Sequence, residues 1–122
     1  MAVDRSAGDD RDPLLSALGE VLEATRVLQR ALRDSEERTV RNMGRLRSGE
    51  RLVDVVRDAP NSKARMEINE ALDRLTAARQ RSRGATFHRL VDEGLSRKEI
   101  ASNWGFSQTV VSRIINRDDA SE

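Results

Sequence analysis

From Leu14 onward the apolar side chains return at alternating steps of four and three. Leu14, Leu18, Val21, Thr25, Leu28, Leu32, Ser35, Thr39, Asn42 and Leu46 trace a heptad seam, flanked by Leu15, Leu22 and Met43. That period lays one stripe along a long α-helix, coiled-coil-like up to Leu32 and increasingly polar beyond it. Asp12 and Pro13 supply the start, an aspartate cap followed by a proline at the first helical position, where the missing N–H would have had no partner anyway. Gly44 weakens the far end and Ser48-Gly49 breaks it. A short helix is expected from about Glu50 to Asp58, burying Leu52, Val55 and Val56, and Pro60 forces Ala59 out of helical geometry. Asn61 or Ser62 then caps a second long helix with the stripe Ala64, Ile68, Ala71, Leu72, Leu75 and Ala78. Arginines follow up to Gly84, and the pattern leaves open whether the helix continues through that glycine.

Long amphipathic helices need something to cover their stripes. Two solutions are open: a coiled coil or bundle between two copies of the chain, or an antiparallel hairpin in which the two long helices cover each other. Outside the seam, Arg30 and Asp34, Asp34 and Arg38, Arg33 and Glu37, and Glu37 and Arg41 are opposite charges four residues apart, which favours a helix by a few tenths of a kcal/mol per pair.

The pattern changes after Arg83. Ala85, Phe87, Leu90 and Val91 mark the apolar side of a helix that Glu93-Gly94-Leu95 ends tightly. Ser96 and Glu99 form the S-x-x-E capping box, in which hydroxyl and carboxylate each satisfy a free backbone N–H at a helix start. Ile100 and Trp104 are the apolar face of that next helix, and Ala101 is small enough to let another helix cross close by. Gly105 ends it in the left-handed conformation open to a residue without Cβ. Phe106 fills the core beneath the turn and Ser107 caps a last helix. Val111, Ile114 and Ile115 share one face of that helix, at the spacing of a buried stripe.

The order helix, Glu-Gly-Leu, Ser-x-x-Glu-Ile-Ala, Gly-Phe-Ser, Val-Ser-Arg-Ile-Ile resembles the three-helical helix-turn-helix DNA-binding domains of bacterial regulators, recombinases and sigma factors, over Arg83 to Arg117. Trp104 departs from the aliphatic residue usual there, which implies a more open core or a contact with the preceding helix. Five residues after Arg117 leave no length for a β-hairpin wing. The resemblance implies that the last helix enters the major groove of double-stranded DNA. Its outward positions are Ser107, Gln108, Thr109, Ser112, Arg113 and Asn116. Gln108 suits an adenine edge, Arg113 a guanine edge and the Thr109 methyl a thymine. Arg97, Lys98, Arg117 and the Ser107 hydroxyl suit phosphate. Between Ser107 and Arg117 there are two arginines and no acid, as a helix facing a polyanion requires.

Charge points the same way. Met1 to Ser62 carries eleven arginines against twelve acids, whereas Lys63 to Arg117 carries eleven bases against six acids. Arg79, Arg81, Arg83 and Arg89 are the densest part of that excess. They read either as flanking contacts to the DNA backbone, with salt-dependent affinity, or as a solvated helix face. With 35% charged residues, 2% aromatic and no cysteine, the chain favours exposed helices over a thick core and excludes disulfides and thiolate metal sites. No apolar run approaches a membrane span and no signal peptide opens the chain, so a cytoplasmic, nucleoid-associated protein that does not enter membranes is expected. His88 is the only histidine, without a carboxylate or cysteine cluster beside it, and no phosphate loop or nucleophile elbow occurs. Neither catalysis nor a cofactor is expected.

The sequence therefore predicts an all-α chain: a disordered tail over 1–12, long helices forming a coiled-coil or hairpin arm over 13–82, a helix-turn-helix domain over 83–117 and a tail over 118–122. The expected partners are duplex DNA and a second copy, since coupling two readers makes the second contact intramolecular. A protein-interaction adaptor, with the three-helix unit docking a partner protein, is the alternative from another class.

Overall fold

The computed structural model describes residues 12–59 and 61–121, the last four by their backbone alone. All their regular structure is α-helix: α1 (Pro13–Arg47), α2 (Leu52–Asp58), α3 (Asn61–Asp92), α4 (Arg97–Trp104) and α5 (Gln108–Ser121). The expected tail up to residue 11 and the break at Pro60 lie outside the described residues. α3 continues unbroken through Gly84, and α5 continues past Arg117 to Ser121, into the segment read as a tail.

Asp12 caps α1 as the Asp-Pro pair predicts. Its Oδ1 accepts the N–H of Leu14 at 2.9 Å and of Leu15 at 3.3 Å. The Leu15 N–H, with smaller help from Leu14 and the Arg89 guanidinium, holds the carboxyl below its ordinary value. At the other end of α1, Gly49 reverses the chain at φ +94°, a conformation that suits glycine. Arg45 then ties the turn to α2, bonding Glu50 through Nε at 2.9 Å and Asp58 through Nη2 at 2.7 Å. Val55 is buried, but Leu52 (62% exposed) and Val56 stay at the surface, against expectation. In seven residues α2 makes fewer than two turns, too few to cover three large side chains.

The described chain divides into two compact units: 22–76, and 12–21 together with 77–121. In the 22–76 unit Ala24 and Ala71 are buried, with Leu28, Ala31, Ile68 and Leu75 half-buried around them. Val27, Ala31 and Asp34 of α1 line one groove with Arg74, Ala71 and Glu67 of α3, an antiparallel pairing. In the other unit Glu20 meets Arg81 at 2.7 Å and Asp12 meets Arg89 at 3.2 Å. Those pairs run in opposite sense along the two helices, so this pairing is antiparallel as well. Ala17, Ala78 and Gly84 are buried here. Within each unit the two long helices thus lie against each other.

Within the chain, the deepest packing follows a stripe beside the heptad seam. Its Leu14, Val21 and Leu28 are half-buried, but the positions packed deepest are Ala17 and Ala24, one step around the helix. Leu18, Leu32 and Leu46 of the seam are exposed, together with Leu15, Leu22 and Met43. On α3, Leu72 leaves the expected stripe and is exposed. Helix separation depends on the side chains at the contact, so the closest approach follows the alanines. None of the four ion pairs expected along α1 forms. The pairs four residues apart that do close are Lys63–Glu67 at 4.0 Å and Arg89–Glu93 at 2.8 Å. An exposed pair gains too little in water to hold two long side chains in one geometry.

Ala24→Leu is expected to destabilise the protein by about 1–3 kcal/mol through overpacking, against about 0.5 kcal/mol or less for the exposed Leu52→Ala; urea denaturation followed by circular dichroism compares them. The Asp12 carboxyl, depressed in the folded state, contributes stability that is present above the unfolded carboxylate pKa and is lost as pH falls through the depressed value. A carbonyl NMR titration of Asp12 should therefore give a midpoint below the ordinary carboxylate value, and fraying of the first turn of α1 should follow it.

Candidate nucleic-acid interface

The last three helical segments share one core. Phe87 from α3, Ile100 and Ala101 from α4, and Val111, Ile114 and Ile115 from α5 are buried together, with Leu90, Leu95, Phe106 and Val110 packed around them. Phe87 touches two aromatic rings edge to face: Trp104 at 5.1 Å between centroids and Phe106 at 6.4 Å. The contact with the preceding helix implied by the bulk of Trp104 is therefore made. Val91 is 38% exposed and not part of the core, unlike its neighbour Leu90, which packs against it.

Each local device between these helices is in place. Ser96 Oγ accepts the Glu99 N–H at 3.1 Å, and Glu99 Oε1 accepts the Ser96 N–H at 3.3 Å. Gly105 takes φ +71°, and the N–H groups of Gly105 and Phe106 both reach the Ala101 carbonyl. Ser107 Oγ accepts the Val110 N–H at 3.1 Å and so caps α5. These bonds fix where α5 begins and which side it turns inward.

With Val111, Ile114 and Ile115 inward, the opposite face of α5 is polar. Gln108, Thr109, Ser112, Arg113, Asn116 and Arg117 line one shallow, open depression on it. All are exposed except the half-buried Ser112. Ser107 is exposed but lies outside that depression, its hydroxyl oxygen engaged as the cap; Arg97 and Lys98 are exposed at the start of α4, also outside it. Arg97, Lys98 and Arg113 make no ion pair among the described residues. Six of the nine predicted residues thus converge on one surface and three sit beside it in sequence.

The arginine cluster of α3 is sorted by its neighbours. Arg81 is paired with Glu20, and Arg89 with both Glu93 and Asp12, so neither is a bare cation. Arg83 lies with its guanidinium carbon 5.4 Å from the centre of the Phe106 ring. Its Nε is buried without a hydrogen-bond partner. Arg79 alone of the four is exposed and without an ion pair among the described residues.

His88, to which no pattern assigned a role, is half-buried and its Nε2 donates to the Ile115 carbonyl at 3.1 Å. It anchors α5 to α3 from the side opposite the polar face. Only the apolar period of α3 could have hinted at this, by placing His88 next to the buried Phe87.

No group of metal-ligating side chains occurs among the described residues, and none of their helices is long and apolar enough to cross a membrane. Compared with protein-family models, with curated proteins and with solved structures, the chain finds no match.

Phe87→Ala should cost about 3–5 kcal/mol by urea denaturation, because it empties the centre of the shared core. His88→Ala should cost about 1 kcal/mol, the worth of one hydrogen bond, and should shift the amide resonances of α5 around Ile115 while leaving the Ser96–Glu99 cap unchanged.

Proposed function

We propose that this protein is a sequence-specific reader of double-stranded DNA, with residues 83–117 acting as a bacterial-type helix-turn-helix domain and α5 as its recognition helix. The observation that carries the reading is the exposed face of α5: amide, hydroxyl and guanidinium groups, no carboxylate from Ser107 to Arg117, and a fully apolar underside. Such a face offers what base edges in the major groove accept, Gln108 for adenine and Arg113 for guanine, with Thr109 against a thymine methyl. Ser112 and Asn116 lie along the same face, and Arg97, Lys98, Arg117 and Ser107 hold phosphates on either side. Of the α3 arginines only Arg79 and Arg83 enter this reading, because carboxylates already hold Arg81 and Arg89.

One such helix reads only a few base pairs, so the reading includes a second copy that presents a second α5 to an inverted half-site. The long helices of 13–82 are its oligomerisation arm. The role is transcriptional regulation at the nucleoid, without a catalytic step or cofactor.

Selection of bound sequences from a random duplex pool gives the site, and fluorescence anisotropy on that site gives the test. Arg113→Ala and Gln108→Ala should each lose about 1–3 kcal/mol of binding and relax the preference at one base position. Arg97→Ala should weaken binding to all sequences and lower the salt slope by about one. Unchanged affinity in both α5 variants overturns the assignment of α5 as the recognition helix.

A further inference from the structure

We propose that two copies associate through one side of the α1–α3 pair of the 22–76 unit, as a four-helix bundle in which α1 of each copy lies against α3 of the other. This names the surface behind the two-copy reading above and does not depend on DNA contact.

The first argument is angular. Within the unit, α1 turns Ala24, Leu28 and Ala31 toward α3. Leu22, Thr25, Gln29 and Leu32 form a second row at steps of three and four. At 100° per residue this row is centred about 110° around the helix from the first. A helix in a four-helix bundle has two neighbours at roughly that angle, and α3 supplies only one. Leu22 is 51% exposed and Leu32 49%. On α3, Leu72 is offset about 100° from the buried Ala71 and is 45% exposed.

Leu22 and Leu32 of α1 and Leu72 of α3 lie on the same side of the pair. The groove on the other side is lined by Val27, Asp34, Glu67, Glu70 and Arg74. Those residues occupy the opposite flank of each buried stripe from Leu22, Leu32 and Leu72. The groove side carries no exposed leucine, whereas the other side carries Leu22, Leu32 and Leu72, with Glu36 and Arg65 farther along the same rows.

Charge selects a second copy and its orientation. Arg26 and Arg33 edge the leucine side on α1, and Asp73 edges it on α3. All three are exposed, and none makes an ion pair among the described residues. An antiparallel register with Val27 level with Arg74 and Asp34 with Glu67 accounts for the residues that line the groove. Asp73 is then within about 3 Å, along the axis, of the level of Arg26. A two-fold axis parallel to the helices sets α1 against α3 of the other copy, bringing Arg26 to Asp73 of the partner subunit and Glu36 level with Arg65 of the partner subunit. The alternative two-fold lays α1 on its own copy and brings Arg26 and Arg33 onto the same arginines, an arrangement like-charge repulsion disfavours.

The chain has no cysteine, which makes the test direct. Chains carrying Arg26→Cys and chains carrying Asp73→Cys, mixed and treated with a short bismaleimide, should yield a covalent dimer, whereas Arg26→Cys alone should not. Leu72→Glu should raise the dissociation constant in sedimentation equilibrium at least about tenfold with helicity by circular dichroism unchanged. Arg26→Asp should weaken association, and Arg26→Asp with Asp73→Arg in one chain should restore it. Cross-linking of Arg26→Cys to itself, absence of any cross-link in the mixture, or a wild-type chain monomeric at tens of micromolar overturns the proposal. DNA binding is read separately: a monomeric Leu72→Glu chain that still retains a single half-site leaves the reader assignment standing, and a cross-linking chain that ignores DNA leaves this interface standing.

Discussion

Phe87 is the constraint on which the candidate interface rests. Its ring is fully buried, belongs to α3, and meets Trp104 of α4 and Phe106 of the turn edge to face. Two helices of eight and fourteen residues bury too little by themselves to offset the entropy of ordering them. A large apolar side chain reaching in from a long helix supplies the missing contact area and the missing geometry together, since aromatic edge-to-face pairs are directional. With Phe87 fixing α4 and the turn, and His88 holding the Ile115 carbonyl from the next position, α5 has one way to lie. Its polar face is outward because its apolar face is taken.

The same local chemistry distributes the cations. A count of bases along α3 makes Arg79, Arg81, Arg83 and Arg89 equivalent, yet their neighbours make them four different groups. Asp12 and Glu20 come from the opposite end of the sequence and reach Arg89 and Arg81. Their carboxylates remove those two arginines from the pool available to a polyanion, and Glu93 adds to the hold on Arg89. The guanidinium of Arg83 is set beside the Phe106 ring. Without a carboxylate among the described residues are Arg79 and Arg83 of that cluster, Arg97 and Lys98 on α4, and Arg113 on α5. A positive surface is thus defined as much by where the acids fall as by where the arginines are.

Much of the C-terminal part was legible because its signals are local. A capping box needs only Ser96 and Glu99, a left-handed turn only Gly105, and an aspartate cap only Asp12 before Pro13; each involves atoms within a few residues, and each is realised. The six residues that share the depression on α5 follow from the period of Val111, Ile114 and Ile115, since the face opposite a buried stripe is determined once the stripe is known. What was not legible depends on distant partners. Val91 fits the apolar period of α3 but stays 38% exposed at the edge of the core, and Leu52 fits a stripe that α2 is too short to form. The bond from His88 to Ile115 spans 27 residues and leaves no trace in any local pattern.

The leucine seam of α1 and the stripe it packs deepest differ for a physical reason. A hydrophobicity pattern weighs leucine above alanine, so the strongest stripe was drawn through Leu18, Leu32 and Leu46. Helix contact instead selects the smallest side chains, which let two backbones approach, and the chain buries Ala17, Ala24, Ala71 and Ala78. That seam lies beside the leucines rather than through them. Burying an alanine methyl is worth about 0.8 kcal/mol and a leucine side chain about 1.5–3 kcal/mol. An alanine-lined pair therefore gains closeness and a fixed register but little hydrophobic free energy. The larger part of the burial available to α1 is still on its surface, at Leu22 and Leu32, with Leu72 on the same side of α3. α1 thus uses its smallest residues for the closest approach within the chain, keeps Leu14, Val21 and Leu28 half-buried beside them, and leaves Leu22 and Leu32 exposed on a separate flank.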